Sequence, residues 1–121
     1  MISTVILVHA EFDIARGCKA LRAHIAAQNW KPVVAARATA ALTALGDLIL
    51  SASSAELVPI NLTVNNANKN PGISLVCNLY LPDTATPEIQ EAVQRLGRAT
   101  DTLDIYETAG NVQITAHLKV I

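Results

Sequence analysis

The segment TAALTALGDLIL, residues 39–50, has the composition of the middle of a helix. It is rich in Ala and Leu, has no Pro and contains a single Gly. Thr43 and Asp47 within it lie four residues apart and therefore share one helical face. A carboxylate in such an apolar run is costly unless it is solvated, paired or bound to a ligand. Asp47 is therefore either a surface residue or part of a site.

Length and composition limit the class of protein. With 121 residues the chain is long enough for one domain, and we expect residues 1–121 to form a single unit. Hydrophobic residues make up 51% and charged residues 16%, which predicts a folded chain. A net charge of −1 and only 3% aromatic residues argue against nucleic acid as a partner, because backbone binding needs basic surface and single strands need stacking platforms.

The sequence gives no sign of a membrane or secretory segment. It has no uninterrupted apolar run of about 18 residues, and its first residues lack the basic start of a signal peptide. Cys18 and Cys77 lie in unrelated apolar patterns, without a His or a second Cys at zinc-binding spacing. We therefore expect a cytoplasmic protein with buried, reduced thiols and no membrane partner.

Hydrophobic periodicity predicts the order β-α-α-β-β-α-β-β. The first strand precedes a helix for which Asp13 offers an N-cap and which ends near Asn29. A second helix starts at Pro32, and a third has Thr86 as N-cap and Pro87 as its first residue. The predicted strands are 2–10, 59–65, 73–81, 103–107 and 112–120, and the second helix ends near residue 52.

Four of these strands fall into two hairpins, joined by the turn clusters NANKNPG and TAGN. Most of the strands show one apolar and one polar face. The sequence therefore predicts an α/β (α+β) fold, a two-layer sandwich in which three helices cover one face of a mostly antiparallel five-stranded sheet.

By element order, essentially the whole chain resembles the GHKL (Bergerat-fold) ATPases, in particular their serine-kinase and anti-sigma-factor branch. The first helix, EFDIARGCKALRAHIAAQNW, begins with the acid-Ile pair of that branch. The second helix of the family is similar to T-A-A-x-E-L-x-x-N-x-x-x-x-A, and residues 39–52 here are TAALTALGDLILSA. The tail EIQEAVQRLGRATD, LDIYE, TAGN and VQITAHLKV also fits the family order.

The sequence differs from the family pattern at the positions of the family's catalytic and metal-binding residues. The resemblance implies that Thr43 occupies the position of the catalytic Glu, and a hydroxyl without a neighbouring base cannot take that proton. Asp47 occupies the position of the Asn that holds Mg²⁺, and a carboxylate can also bind this ion. The resemblance therefore implies no catalytic residue here and Asp47 as a candidate metal ligand. Asp47 also has an ordinary interpretation as a solvated or capping acid.

The resemblance further implies that Asp83 matches the Asp that reads adenine in the family. The glycines that follow this Asp in the family are absent, and the third helix starts too soon for an ATP lid. Phosphates would lack their backbone donors and their cover. Asp83 can equally open the turn into the helix. If both acids belong to one site, Asp47 and Asp83 should line a pocket between the second helix and the sheet.

Three hypotheses about function follow. The first is a non-catalytic regulatory module with a lost or impaired ATP site, no cofactor, and a sigma factor or STAS-domain antagonist as protein partner. The low charge and apolar content would also suit a homodimer. The second is an active Mg-ATP-dependent serine/threonine kinase or anti-sigma factor. The third is a small-ligand-binding or structural sandwich with only a topological likeness to the family.

Overall fold

A computed structural model describes residues 2–52, 57–66, 69–81 and 86–120. Within these ranges the chain forms a five-stranded sheet with three helices on one face, in the order that the sequence predicts. The predicted fold class is therefore confirmed. The elements are β1 (Ile2–Val8), α1 (Glu11–Ala27), α2 (Pro32–Ser51), β2 (Val58–Asn65), β3 (Gly72–Tyr80), α3 (Pro87–Ala99), β4 (Thr102–Thr108) and β5 (Asn111–Lys119).

The sheet has the strand order β1-β2-β3-β5-β4, and every neighbouring pair is antiparallel. Side chains alternate between the two faces of a strand, so each row across the sheet belongs to one face. The row that joins Ile60, Cys77 and Ile114 faces the helices and is fully buried or nearly so. Burial raises the pKa of the Cys77 thiol to about 12, which keeps it protonated and unreactive.

The turn between β4 and β5 has two central residues in the left-handed region, Ala109 at φ 51° and Gly110 at φ 85°. Thr108 and Asn111 pair on either side of them, so the loop is the two-residue turn whose twist matches that of antiparallel strands. This confirms the hairpin predicted from TAGN.

The start of α1 differs from the prediction. The helix begins at Glu11 with Ala10 as its N-cap residue, so the assignment of Asp13 as N-cap is wrong. The Asp13 carboxylate instead accepts hydrogen bonds from the backbone N–H groups of His9 and Ala10, at 2.9 and 3.0 Å. These bonds, first that from His9, lower the pKa of Asp13. A carboxylate in the first turn can reach back and cap the helix from inside.

The middle helix, α2, packs closely against α1 because of a glycine at their contact. A Cβ added at Gly46 would lie 2.4 Å from Cδ1 and 2.5 Å from Cγ1 of Ile14, so Ile14 occupies the space that any larger residue would need. On the other helix, a Cβ at Gly17 would lie 3.0 Å from Ile6 and 3.3 Å from Leu42. Glycine is unfavourable inside a helix, and here it allows the two backbones to approach.

By length and composition, α2 is apolar enough to cross a membrane, although the sequence predicts no such segment. In this domain 56% of its apolar window is buried, with the side chains of Leu42, Leu45 and Leu48 in the core. A core helix of a water-soluble domain passes the same test, so the finding is weak evidence for a membrane segment. The absence of a membrane partner stays a prediction.

The contact between Gly46 and Ile14 can be tested with two matched glycines. Gly97 of α3 has room for a methyl group, because an added Cβ would lie 3.7 Å from Leu103. Gly97→Ala should therefore raise the free energy of unfolding by roughly 0.5–1 kcal/mol through helix propensity. Gly46→Ala should instead lower it by roughly 1–3 kcal/mol, because the methyl group overpacks the contact with Ile14. Urea unfolding of both variants measures the difference.

The background Ile14→Ala serves as the control. It removes the atoms that the new methyl group would meet, so in this background Gly46→Ala should be neutral or stabilising. If Gly46→Ala destabilises the protein equally with Ile14 and with Ala at position 14, the contact is not the cause.

Candidate functional site

The outer face of the helix layer carries a groove along α2. Ala36, Ala40 and Thr43 are exposed and Asp47 is half-buried, and their spacing places them on one stripe of the helix. Because these side chains are small, they leave a depression along α2 between α1 and α3. The groove measures about 930 Å³ and is lined along α2 by Pro32, Ala35, Ala36, Thr39, Ala40 and Thr43.

Arginines stand on both sides of this groove. Arg22 projects from α1, and Arg95 and Arg98 project from α3. None of the described residues that line the groove is acidic, although the chain as a whole has a net charge of −1. The groove is therefore a locally positive surface with a floor of small side chains.

Asp47, the predicted metal ligand, is paired with an arginine. Its Oδ2 accepts a hydrogen bond from Nη1 of Arg95 at 3.0 Å, and Nε of Arg95 lies 3.6 Å from Oε1 of Glu91. Asp47 thereby links α2 to α3 on the outer surface of the helix layer. The expectation that it lines a pocket between α2 and the sheet is wrong, because the sheet-facing side of α2 carries its apolar residues.

Thr43, which occupies the family's base position, lies one turn earlier on the same exposed stripe. Its Oγ1 is 3.5 Å from Sγ of Cys18, across the contact with α1. Cys18 and Cys77 are both buried and neither forms a disulfide, which confirms the predicted burial of both thiols. This contact with a thiol supplies no base.

Asp83, the predicted adenine-binding residue, lies outside the described residues, and so does its expected approach to Asp47. Leu81 before it is buried, and Thr86 after it is the N-cap of α3 as predicted. The cap forms without a side-chain hydrogen bond from Thr86, and Pro87 is the first helical residue. The role of Asp83 stays a prediction.

A cluster of ligating side chains around Asp47 would support a metal site there. Across 2–52, 57–66, 69–81 and 86–120, no group of three or more His, Cys, Asp or Glu side chains is placed to hold an ion. The guanidinium of Arg95 lies against one oxygen of the Asp47 carboxylate, Oδ2. Magnesium binding by Asp47 stays a prediction.

A second concavity, which the sequence does not predict, lies between α3 and the hairpin β4–β5. Its volume is about 360 Å³, and it lies beside Ile105, which pairs with the buried Ile114 and is 45% exposed because α3 leaves it partly uncovered. The sequence shows Ile105 as an apolar residue in a strand but gives no sign that it is left uncovered. No Lys or Arg is among the described residues that line it, so it does not suit a phosphate chain. Its described lining is Leu48, Leu81, Ile89, Gln90, Val93, Gln94, Ile105, Glu107, Val112 and Ile114.

Comparison with known proteins supports the fold alone. No family model matches the chain, and no curated protein matches it. Among solved structures, a chain from the crystal structure of the SiaB–SiaC complex from Pseudomonas aeruginosa is similar, with a TM-score of 0.61 and 11% identity. The match covers 99% of this chain and 90% of that chain. The similarity therefore extends over the whole sandwich.

The ion pair of Asp47 yields a testable prediction about its role. Asp47→Asn should lower the free energy of unfolding by less than about 1 kcal/mol, because the paired side chains are 35% and 39% exposed and solvent screens them. We also expect Mg²⁺ alone to leave the unfolding temperature of the wild-type protein unchanged. A rise with Mg²⁺ in the wild type that Asp47→Asn abolishes would instead assign Asp47 as a metal ligand.

Proposed function

We propose that this chain is a regulatory protein–protein interaction module, that it binds its partner in the groove on the outer face of the helix layer, and that its nucleotide site is lost or impaired. The observation that carries the proposal is the floor of small α2 side chains between arginines of α1 and α3. The structural neighbour, which comes from a complex of two proteins, is consistent with a role in protein binding.

The shape of the groove favours a helical segment of the partner. Its floor runs from Pro32 to Thr43, which corresponds to about 17 Å of helix, or three turns. Ala36 and Ala40 place no long side chain in the way, so a second helix can approach the α2 backbone closely. Docking of an apolar helix face into such a groove is a recurrent mode of peptide recognition.

The charge of the groove favours an acidic partner. Arg22 and Arg98 are exposed on opposite sides, and no ion pair of either is among the described contacts. Arginine binds carboxylates through two parallel hydrogen bonds and is enriched at protein interfaces. We therefore infer a partner helix with a small or apolar face and acidic residues on its flanks.

The resemblance to the anti-sigma-factor branch suggests which proteins to test. In that branch the partners are sigma factors and STAS-domain antagonists, and we propose one of these as the partner here. The impaired nucleotide site is supported by Thr43, a hydroxyl at the position of the family's catalytic Glu, and by the pairing of Asp47 with Arg95. Both features weigh against the alternative of an active kinase or ATP-binding anti-sigma factor.

A different observation favours small-ligand binding as a second candidate function. The cavity between α3 and the last hairpin lies within the usual size range of ligand pockets, and its walls are mostly apolar. Gln90, Gln94 and Glu107 supply a few polar groups at that site. An apolar molecule with a hydrogen-bond donor would suit it better than a nucleotide.

Binding in the groove can be tested with a matched pair of alanines. Ala40 lies on the groove floor, whereas Ala20 is exposed on α1 and does not line the groove. Purified sigma factors and STAS-domain proteins encoded near this gene should be titrated by calorimetry. Ala40→Arg should weaken binding at least about tenfold, which corresponds to about 1.4 kcal/mol, because the new side chain fills the groove. Ala20→Arg should leave binding unchanged. Equal affinity of both variants would place the partner surface elsewhere.

The state of the nucleotide site can be tested by thermal unfolding with Mg-ATP. A ligand at 100 times its dissociation constant would stabilise the protein by about 2.7 kcal/mol. We expect no change in unfolding temperature, because the sequence has neither glycines directly after Asp83 nor a carboxylate at position 43. Micromolar binding that is lost in Asp83→Asn would contradict this and favour the active ATP-binding alternative.

A further inference from the structure

The cavity between α3 and the hairpin β4–β5 has an apolar floor. Leu48, Ile89 and Ile114 line it and are at most 4% exposed, so they belong to the core. Ile105 adds an apolar side chain that is 45% exposed. The cavity therefore presents apolar surface that a bound molecule can cover, which is the usual character of a small-molecule site.

Three exposed polar side chains stand at the mouth of this cavity. Gln90 and Gln94 are one turn apart on α3 and share one flank of the helix. Glu107 lies on β4, directly opposite the buried Val112 of β5. Residues directly opposite each other in an antiparallel pair share a face, so Glu107 is on the face of the sheet that the helices cover. The mouth thus has polar groups on both of its sides.

Glu107 gives the cavity its charge. No other charged side chain is among the described residues that line it, and no ion pair of Glu107 is among the described contacts. A charge on the inner face of an edge strand also discourages pairing with other strands, but this role does not require a cavity beside it. A carboxylate without a partner at the mouth of an apolar cavity favours a ligand with a positive charge.

We propose that this cavity binds an aliphatic amine, whose chain lies on the apolar floor and whose ammonium group binds Glu107, Gln90 and Gln94. A primary ammonium has three N–H donors, and the carboxylate and the two amide carbonyls supply three acceptors. A neutral or anionic molecule would leave Glu107 without an opposite charge. The inference rests on the second candidate function, small-ligand binding, and names the class of its ligand.

The amine site is separate from the groove that binds the partner protein. The cavity lies on the β4 side of α3, whereas Arg95 and Arg98 line the groove on the side of α3 that faces α1. A bound amine therefore leaves the groove open. The amine site and the partner groove can each fail without the other.

The experiment titrates the protein at neutral pH with octylamine, 1-octanol and octanoate, which share one chain and carry a positive, a neutral and a negative head group. Calorimetry should give octylamine a dissociation constant at least about fivefold below that of octanol, because its ammonium makes charge-assisted hydrogen bonds. Octanoate should bind most weakly. Amide chemical-shift changes on addition of octylamine should be largest at Gln90, Gln94 and Ile105.

Glu107→Gln tests the carboxylate, and Asp104→Asn is its matched control. Both variants remove one negative charge from an exposed position of β4, but Asp104 lies opposite Thr115, on the other face of the sheet. Glu107→Gln should abolish the preference for octylamine over octanol, whereas Asp104→Asn should retain it. Far-UV circular dichroism should show that both variants are folded.

The outcomes separate the amine site from small-ligand binding in general. Equal affinity for octylamine and octanol, or a preference for octylamine that survives Glu107→Gln, would overturn the amine site and leave small-ligand binding as a function. If none of the three probes binds, or if the chemical-shift changes cluster outside the cavity, the amine site and the second candidate function fail together.

Discussion

The close contact between Ile14 and Gly46 determines how the helix layer is built. α2 lies between α1 and α3 and over the sheet, so its distance from each neighbour sets the position of the others. A side chain at position 46 would need the space that Ile14 occupies, and α1 would have to move away. Protein interiors are packed as densely as organic crystals, so such a shift would be transmitted across the layer rather than absorbed locally.

Small residues on α2 also form the groove on the outer face of the helix layer. On the inner side Ala38 and Ala41 are fully buried, and on the outer side Ala36 and Ala40 leave the groove open. α2 therefore packs closely against the core on its inner side, and its outer side remains accessible. Asp47 closes one end of the exposed stripe, where its carboxylate pairs with Arg95 of α3.

The sequence predicts most of the fold because periodicity is a local property. Alternation and helical spacing identify each strand and helix in the right order, and turn residues locate the hairpins. The predicted position of Asp13 at the N-cap is wrong by three residues, because a carboxylate can bond the free N–H groups either from the N-cap or from the first turn. The pairing of Asp47 could not be predicted, since Arg95 lies 48 residues away and no local pattern links them. The close contact of Gly46 could not be predicted either, because the sequence does not show which residues of other helices lie against a helical glycine.

We propose that the partner binds along the outer stripe of α2. The most direct test is the mapping of amide chemical-shift changes by NMR as the purified partner is added to labelled protein. The largest changes should cluster at Arg22, Ala36, Ala40 and Arg98, on the floor and sides of the groove. Changes that cluster instead on the open face of the sheet, or around Ile105 and Glu107 beside α3, with the α2 stripe unperturbed, would contradict the claim.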